Sequence, residues 1–346
     1  MKKYMEKEAL IYKITCKEVS KLKKILSLAA AGLFTVGTAS AGSITVANSD
    51  IEMSGGITGG YFYTTNSPAN DYFTVTNFGI DLEAKTNSPI TFKAGIGRTK
   101  QPTFFDPNPN ATFGFEYGWV SLKPVEGLTI DAGKLLTNVG YELFHTYENK
   151  NYMFGLVWNA QPVVYPGARV SYDVMEETSV YAEYNQDGTG DAFAAGITGN
   201  LQGVDYALSY FDYSAWKNLI DVVLSVNIEG FEVGANFDYQ WLDDTAKTPG
   251  NDDSAWGVAI YAGLDMDSIE IPVRIEYVDD GTSGIYGVNG DNAWTFTITP
   301  TYRPSKNTYI RAEVAYASTD KNTFVDKNGN PKDNRLSAGV EAGFLF

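Results

Sequence analysis

The chain has one cysteine (Cys16), one histidine (His145) and, after residue 41, no long apolar run. Each shortage excludes something. A lone cysteine rules out a disulfide framework, and no lipobox surrounds Cys16, so no lipid anchor is expected. No stretch after residue 41 approaches the roughly 18 consecutive apolar residues of a spanning helix. Positive charge is scarce too, with 26 Lys/Arg against 42 Asp/Glu. Residues 1–41 hold 8 of the basic and 3 of the acidic residues, leaving 18 and 39 and a net charge of −21 for 42–346. Such a chain lacks the basic footprint of a nucleic-acid binder. Acidity with few aromatics would suggest disorder. The 23 Tyr, 19 Phe and 6 Trp argue for a fold instead.

The N-terminus reads as a targeting segment. Lys21 to Lys24 is a basic n-region, Ile25 to Val36 a short apolar run, and Ala39-Ser-Ala41 a small-residue cleavage site. Together they predict a secretory signal peptide over 21–41, preceded by an upstream extension and followed by one domain, 42–346.

That domain alternates with period two. Val233, Ala235, Phe237, Tyr239 and Trp241 alternate with Glu232, Gly234, Asn236, Asp238 and Gln240. Ile310, Ala312 and Val314 alternate with Tyr309, Arg311 and Glu313. Successive strand side chains point to opposite faces, so each run has one apolar and one polar face. The pattern predicts sixteen strands: 51–66, 74–87, 90–99, 113–123, 127–136, 166–175, 178–186, 191–200, 203–213, 217–229, 231–242, 254–265, 268–279, 292–303, 307–319 and 334–346. Two runs break parity: Val120 and Leu122 share a face with Glu116, and Lys134 shares one with Ile130. Tight and long connections alternate along the chain, which suits an antiparallel up-and-down barrel of the outer-membrane type, with short turns at one end and longer loops at the other. A bilayer forbids open sheet edges, so the strands must close.

Three further features fit. The last strand carries Leu336, Ala338, Val340, Ala342, Phe344 and Phe346 on one face, similar to the strand by which barrel-assembly machinery recognises its clients; Phe344 and Phe346 are the candidate assembly signal. Tyr61, Tyr63, Tyr72, Phe73, Phe113, Phe115, Trp216, Trp241, Trp256, Trp294 and Tyr302 lie near strand ends, where aromatic girdles sit. The acidic pairs Asp243-Asp244, Asp252-Asp253 and Asp279-Asp280 fall in long loops, solvated or bridged through divalent cations to lipopolysaccharide. Asp326 to Asn330 lacks the glycine and bidentate glutamate of a calcium loop and reads as a solvated turn.

If the polar faces point inward, the mid-strand residues Asp81, Lys93, Glu116, Asp131, Arg169, Glu183, Asp221, Asp238, Arg274, Glu313 and Glu341 line the lumen. Eight are acidic and three basic, and carboxylates around an aqueous bore favour cations. The stretch Thr137 to Gly167 does not alternate. It is the third long connection, and Phe144, Met153, Phe154, Leu156, Val157 and Trp158 suit a packed position better than a water-exposed tip. It either folds into the bore or caps it. In the first case Glu142, His145, Glu148 and Lys150 form a constriction, with Arg169 and Arg274 on the facing wall. No nucleophile elbow or zinc pattern accompanies His145, so neither an enzyme nor a cofactor or metal site is expected.

Gly133-Lys134, Val139-Gly-Tyr-Glu142, Asn149-Lys-Asn-Tyr152, Gln161-Pro162 and Gly167-Ala-Arg-Val-Ser-Tyr172 resemble the OmpL-like bacterial β-barrel porin-2 family, with departures at Phe154-Gly155 and Tyr165. The resemblance implies passive diffusion of small hydrophilic solutes and ions across a bacterial outer membrane, among outer-membrane lipids and lipopolysaccharide, and a homotrimer by analogy with porins. The alternative is a non-conducting surface barrel acting through its acidic loops.

Overall fold

The computed structural model describes residues 44–45, 50–107, 111–186, 190–288 and 292–346. The expected signal peptide, the extension before it and Cys16 lie outside the described residues. Sixteen barrel strands follow in chain order: β1 Ile51–Thr64, β2 Asp71–Ala84, β3 Ile90–Thr99, β4 Gly114–Val125, β5 Leu128–Leu136, β6 Val164–Met175, β7 Thr178–Gln186, β8 Asp191–Leu201, β9 Val204–Asp212, β10 Lys217–Ile228, β11 Phe231–Leu242, β12 Ser254–Met266, β13 Ile269–Asp279, β14, β15 Thr308–Thr319 and β16 Asn334–Leu345. Strand β14 is split into Asn292–Ile298 and Thr301–Ser305 around Thr299 and Pro300, because proline has no N–H for a ladder. The pair Ile44–Thr45 adds to one end of β1.

Each strand pairs antiparallel with its sequence neighbours, and β16 pairs with β1, so the sheet closes into a barrel. At the seam the Phe346 and Gly55 amides each donate to the other's carbonyl at 2.9 Å. No strand edge is left to face lipid.

The two faces show which solvent each meets. On β11, Glu232, Asn236, Asp238 and Gln240 are buried, while Val233, Phe237 and Tyr239 are exposed. On β15, Arg311 and Glu313 are buried and Ile310 and Val314 exposed. Polar-in, apolar-out is the reverse of a soluble barrel and suits an apolar band in a bilayer. Phe73 is 83 % exposed, and Tyr61, Tyr63, Phe113, Phe115, Trp216, Trp294 and Tyr302 also point outward. Tyr72 corrects the girdle expectation. It packs inward against the core, and its hydroxyl donates to the Pro107 carbonyl.

The parity conflicts have local causes. A register shift between Gly95 and Ile96, opposite Tyr117 and Phe115, leaves Glu116 as an extra residue, a β-bulge that turns both Glu116 and Tyr117 inward. Strand β5 is regular, and Lys134 stands on its outer parity where the β4–β5 ladder ends, at the Gly118–Lys134 pair. There it lines an open recess of about 690 Å³ with Thr99, Glu116, Phe144 and Val164.

The acidic loop pairs behave differently from one another. Asp244 is almost fully exposed, as solvation requires. Asp280 is buried and accepts from Ser283 Oγ and from the Tyr286 and Val288 amides, so it organises its loop from within. Asp326 caps its own turn, accepting from the Asn328 and Asn330 amides.

Candidate functional site

The segment between β5 and β6, residues 137–163, carries a 3₁₀ turn, Thr146–Glu148, and one helical turn, α1, Leu156–Asn159. Its partners sit on the inward side of β10 to β15 and of β2. The Gly140 amide donates to Asp221 on β10 at 3.1 Å, and Tyr141 Oη to Glu232 on β11 at 2.8 Å. The Val157 amide donates to Glu276 on β13, and Asn151 Nδ2 to Thr299 Oγ1. The Tyr152 and Met153 amides both donate to the Glu313 carboxylate on β15. Arg311 donates to the Thr146 and Asn149 carbonyls, and Asn77 on β2 to Thr146 Oγ1 at 2.5 Å. These bonds hold the segment against the inner wall.

Its apolar residues complete a core inside the ring of strands. Tyr141, Tyr152, Met153, Leu156 and Val157 are buried with Phe62, with Phe104 from the loop before β4, with Ile285 and Tyr286 from the loop after β13, and with Phe324 from the loop before β16. Glycines on the strands make room. A Cβ on Gly79 would lie 2.7 Å from Tyr147 Oη, one on Gly234 2.5 Å from the Tyr141 ring, and one on Gly257 2.8 Å from Tyr286 Oη.

The structure divides the sequence-selected constriction residues into two kinds. Glu142 is buried and bonds Arg274, which also donates to the Met153 carbonyl and approaches Glu276 at 3.2 Å. Burial lifts the Glu142 carboxyl against the pull of Arg274. His145 is buried between Glu148 Oε2 at 3.0 Å and Glu116 Oε2 at 3.4 Å, stacked on Tyr147 at 4.7 Å. Burial alone would discharge the imidazole, but Glu148, Glu116 and Asp81 outweigh it and hold its pKa up to about 10. Glu148, held below its ordinary pKa by His145 against burial, keeps 35 % of its side-chain exposure. Lys150 keeps 20 % and pairs with Glu232. Of the two expected wall arginines, only Arg274 meets the segment's charges. Arg169 is held by Glu183 at 2.5 Å and by the Leu136 carbonyl at 2.6 Å.

The inward strand residues divide the same way. Arg169, Glu183, Asp221, Asp238, Arg274, Glu313 and Glu341 are buried. Asp81, Lys93, Glu116 and Asp131, on β2 to β5, are partly exposed. Asp131 accepts from Ser121 Oγ at 2.5 Å, Asp81 accepts from Tyr117 Oη, and Lys93 lies 6.0 Å from the Trp119 ring centre. Several inward groups had no distinguishing mark in the sequence: the pair Arg303–Glu270, Glu276, and Arg311, which pairs with the expected Glu341.

Residues 50–346 match the family model "Putative beta-barrel porin-2, OmpL-like". No curated protein matches the chain. Among solved structures, the fold is similar to OmpT of Vibrio cholerae, described as an outer membrane protein in trimer form, at 10 % identity and TM-score 0.62 over 86 % of this chain and 99 % of that one. It is similar to Salmonella typhi OmpF, in complex with daunomycin, at 14 % identity and TM-score 0.62 over 88 % and 100 %. It is also similar to the outer membrane channel DcaP of Acinetobacter baumannii, at 13 % identity and TM-score 0.59 over 88 % and 100 %. The family match spans nearly the whole barrel, and the chain belongs to the OmpL-like β-barrel porin-2 family of outer-membrane porins.

Proposed function

We propose that this porin is a narrow, weakly cation-preferring diffusion channel for small hydrophilic solutes and ions. Its constriction lies between the segment 137–163 and the β2–β5 wall. The observation that carries this reading is the division of the inward charges. Those beneath the segment are buried and hydrogen-bonded, whereas Asp81, Lys93, Glu116 and Asp131 on the wall and Glu148 and Lys150 on the segment keep contact with solvent. A charge acts on a passing ion only where water reaches it. Charge balance supports the cation preference. Among the described residues, Arg169, Arg274, Arg303 and Arg311 each pair with a glutamate, while of the charges that water reaches Asp81 and Asp131 have no Lys or Arg within salt-bridge distance, against Lys93 with no carboxylate.

A homotrimer is part of this reading, supported by the trimer form of OmpT. So are export by residues 21–41, recognition of Phe344 and Phe346 by barrel-assembly machinery, and a setting of outer-membrane lipids and lipopolysaccharide.

The test is a planar-bilayer recording of the refolded protein with a salt gradient. Steady channels with a cation-directed reversal potential are expected, and anion selectivity would refute the preference. One observation favours the rival non-conducting barrel: Phe104, Tyr152, Leu156, Tyr286 and Phe324 pack an apolar core inside the ring of strands. Folded protein without conductance would establish that rival.

A further inference from the structure

Diffusion gives no account of Lys134. It stands on the outward parity of β5, in a chain that is poor in positive charge. Arg98 on β3 shares that face. It is the cross-strand partner of Phe78, which pairs in turn with the exposed Ile57, and cross-strand partners point the same way. The outward neighbours of these two cations on their strands, Phe92, Ala94, Ile96, Leu128, Ile130 and Ala132, are apolar. Among the described residues neither cation has a carboxylate within salt-bridge distance.

Both border a gap in the wall. The β4–β5 ladder ends at the Gly118–Lys134 pair. Beyond it Gly114 and Phe115 pair with β3, and Leu135 and Leu136 with β6. The two strands part there, at the open recess of about 690 Å³. Lys134 lines it, as do Thr99, next to Arg98, and Ala111, whose carbonyl accepts from Arg98 Nε at 2.8 Å. Phe115, Phe144 and Val164 give it an apolar lining. Glu116 lines it too, but its Oε2 is turned to the His145 ring at 3.4 Å. The gap lies at the long-loop end of the barrel, beside the outward Phe113 and Phe115, and that is the level of the lipid headgroups.

We infer that the recess holds the phosphorylated sugar headgroup of an outer-leaflet lipid, its phosphate on Lys134 and Arg98 and its acyl chains along Phe113, Phe115 and Val164. Charge selects this occupant. A cation on the lipid face is tolerated at headgroup level and becomes favourable beside an anion. The Arg98 guanidinium has five N–H groups and donates to the Ala111 and Val75 carbonyls, which leaves donors for phosphate oxygens. A neutral amphiphile would leave both cations unpaired. The inference rests on the outer-membrane setting proposed above and not on conductance.

The test is native mass spectrometry of the refolded barrel in detergent with added lipid A. One lipid A retained per chain is expected, and dephosphorylated lipid A should be retained about tenfold less. Lys134→Glu should weaken retention about tenfold or more, because it reverses one of the two charges. Lys123→Glu, near the short-turn end of β4, should leave it unchanged. Each variant is first checked for heat-modifiable migration, and the comparison of the two lipids needs no variant. Retention that ignores the phosphate, or that ignores Lys134, would overturn the inference. So would a disulfide between two copies carrying Lys134→Cys in the membrane, since a second chain would then close the gap. Conductance enters none of these readouts, so failure here leaves the channel reading standing.

Discussion

The wall beneath the segment and the wall facing it use the same residue types to different ends. Along β10 to β16, Asp221, Asp238, Arg274, Glu313 and Glu341 are buried; the first four bond the segment and Glu341 bonds its anchor Arg311. Along β2 to β5, Asp81, Lys93, Glu116 and Asp131 remain partly wet. A charge out of water is tolerated only when paired and hydrogen-bonded, so the first wall is a fastening surface. A wet charge needs no partner and exerts its field on what passes, so the second is the selective surface.

The comparison breaks most visibly if the segment is removed. Deleting residues 142–156 takes away Glu142, Tyr152, Met153 and Leu156 from the lumen core. Single-channel conductance should rise several-fold, read in the same bilayer, with heat-modifiable migration confirming a closed barrel. Unchanged conductance would place the constriction elsewhere.

A milder break separates fastening from selection. Arg274→Ala leaves Glu142 and Glu276 facing each other without their shared cation. Removing one partner of a buried ion pair costs about 3–5 kcal/mol, so the variant should unfold at clearly lower urea. Lys93→Ala on the wet wall should change stability by about 0.5 kcal/mol or less. Equal effects would erase the distinction.

Selectivity should reverse that order. Lys93→Glu changes the wall by two charges. At about 8 Å in water each is worth about 0.5 kcal/mol to a cation and as much in the opposite sense to an anion, about 2 kcal/mol in all, so the cation-to-anion permeability ratio should rise roughly thirtyfold at low salt. Glu341→Gln alters a group buried against Arg311 and should hardly move the reversal potential.

The barrel was legible because period two is a property of single residues. The alternation on β11 and β15 and the order of short and long connections carry all sixteen strands, with ends displaced by a few residues; β2 was expected at 74–87 and lies at Asp71–Ala84. The fold of the lumen was much less legible. The bulge at Glu116 flips parity without any glycine or proline at that position to mark it. Gly79, Gly234 and Gly257 read as weak strand positions, and their use, accepting Tyr147, Tyr141 and Tyr286, depends on contacts far apart in the chain. Tyr72 sits at a strand end like its girdle neighbours, and only the loop carbonyl at Pro107 draws it inward. Charge alone also could not separate Arg274, which meets Glu142, from Arg169, which meets Glu183.

The most local break concerns His145, which joins the two walls: it sits on the segment yet bonds Glu116 on β4. Its pKa is raised from 6.5 to about 10 on folding. A group raised on folding contributes its full stabilisation below the unfolded value and loses it as pH climbs through the folded one. The clamp is therefore complete below about pH 6.5, weakens above it and is gone beyond about pH 10. Amide exchange around Thr146–Glu148 should accelerate across that interval, corrected for the intrinsic pH dependence of exchange. His145→Gln keeps the shape and one hydrogen bond but not the titration. It should flatten the response and show at acid pH the faster exchange of the wild type at alkaline pH. A variant as pH-sensitive as the wild type would assign the response to another group. The wet wall and the fastened wall would then be coupled through something other than this imidazole.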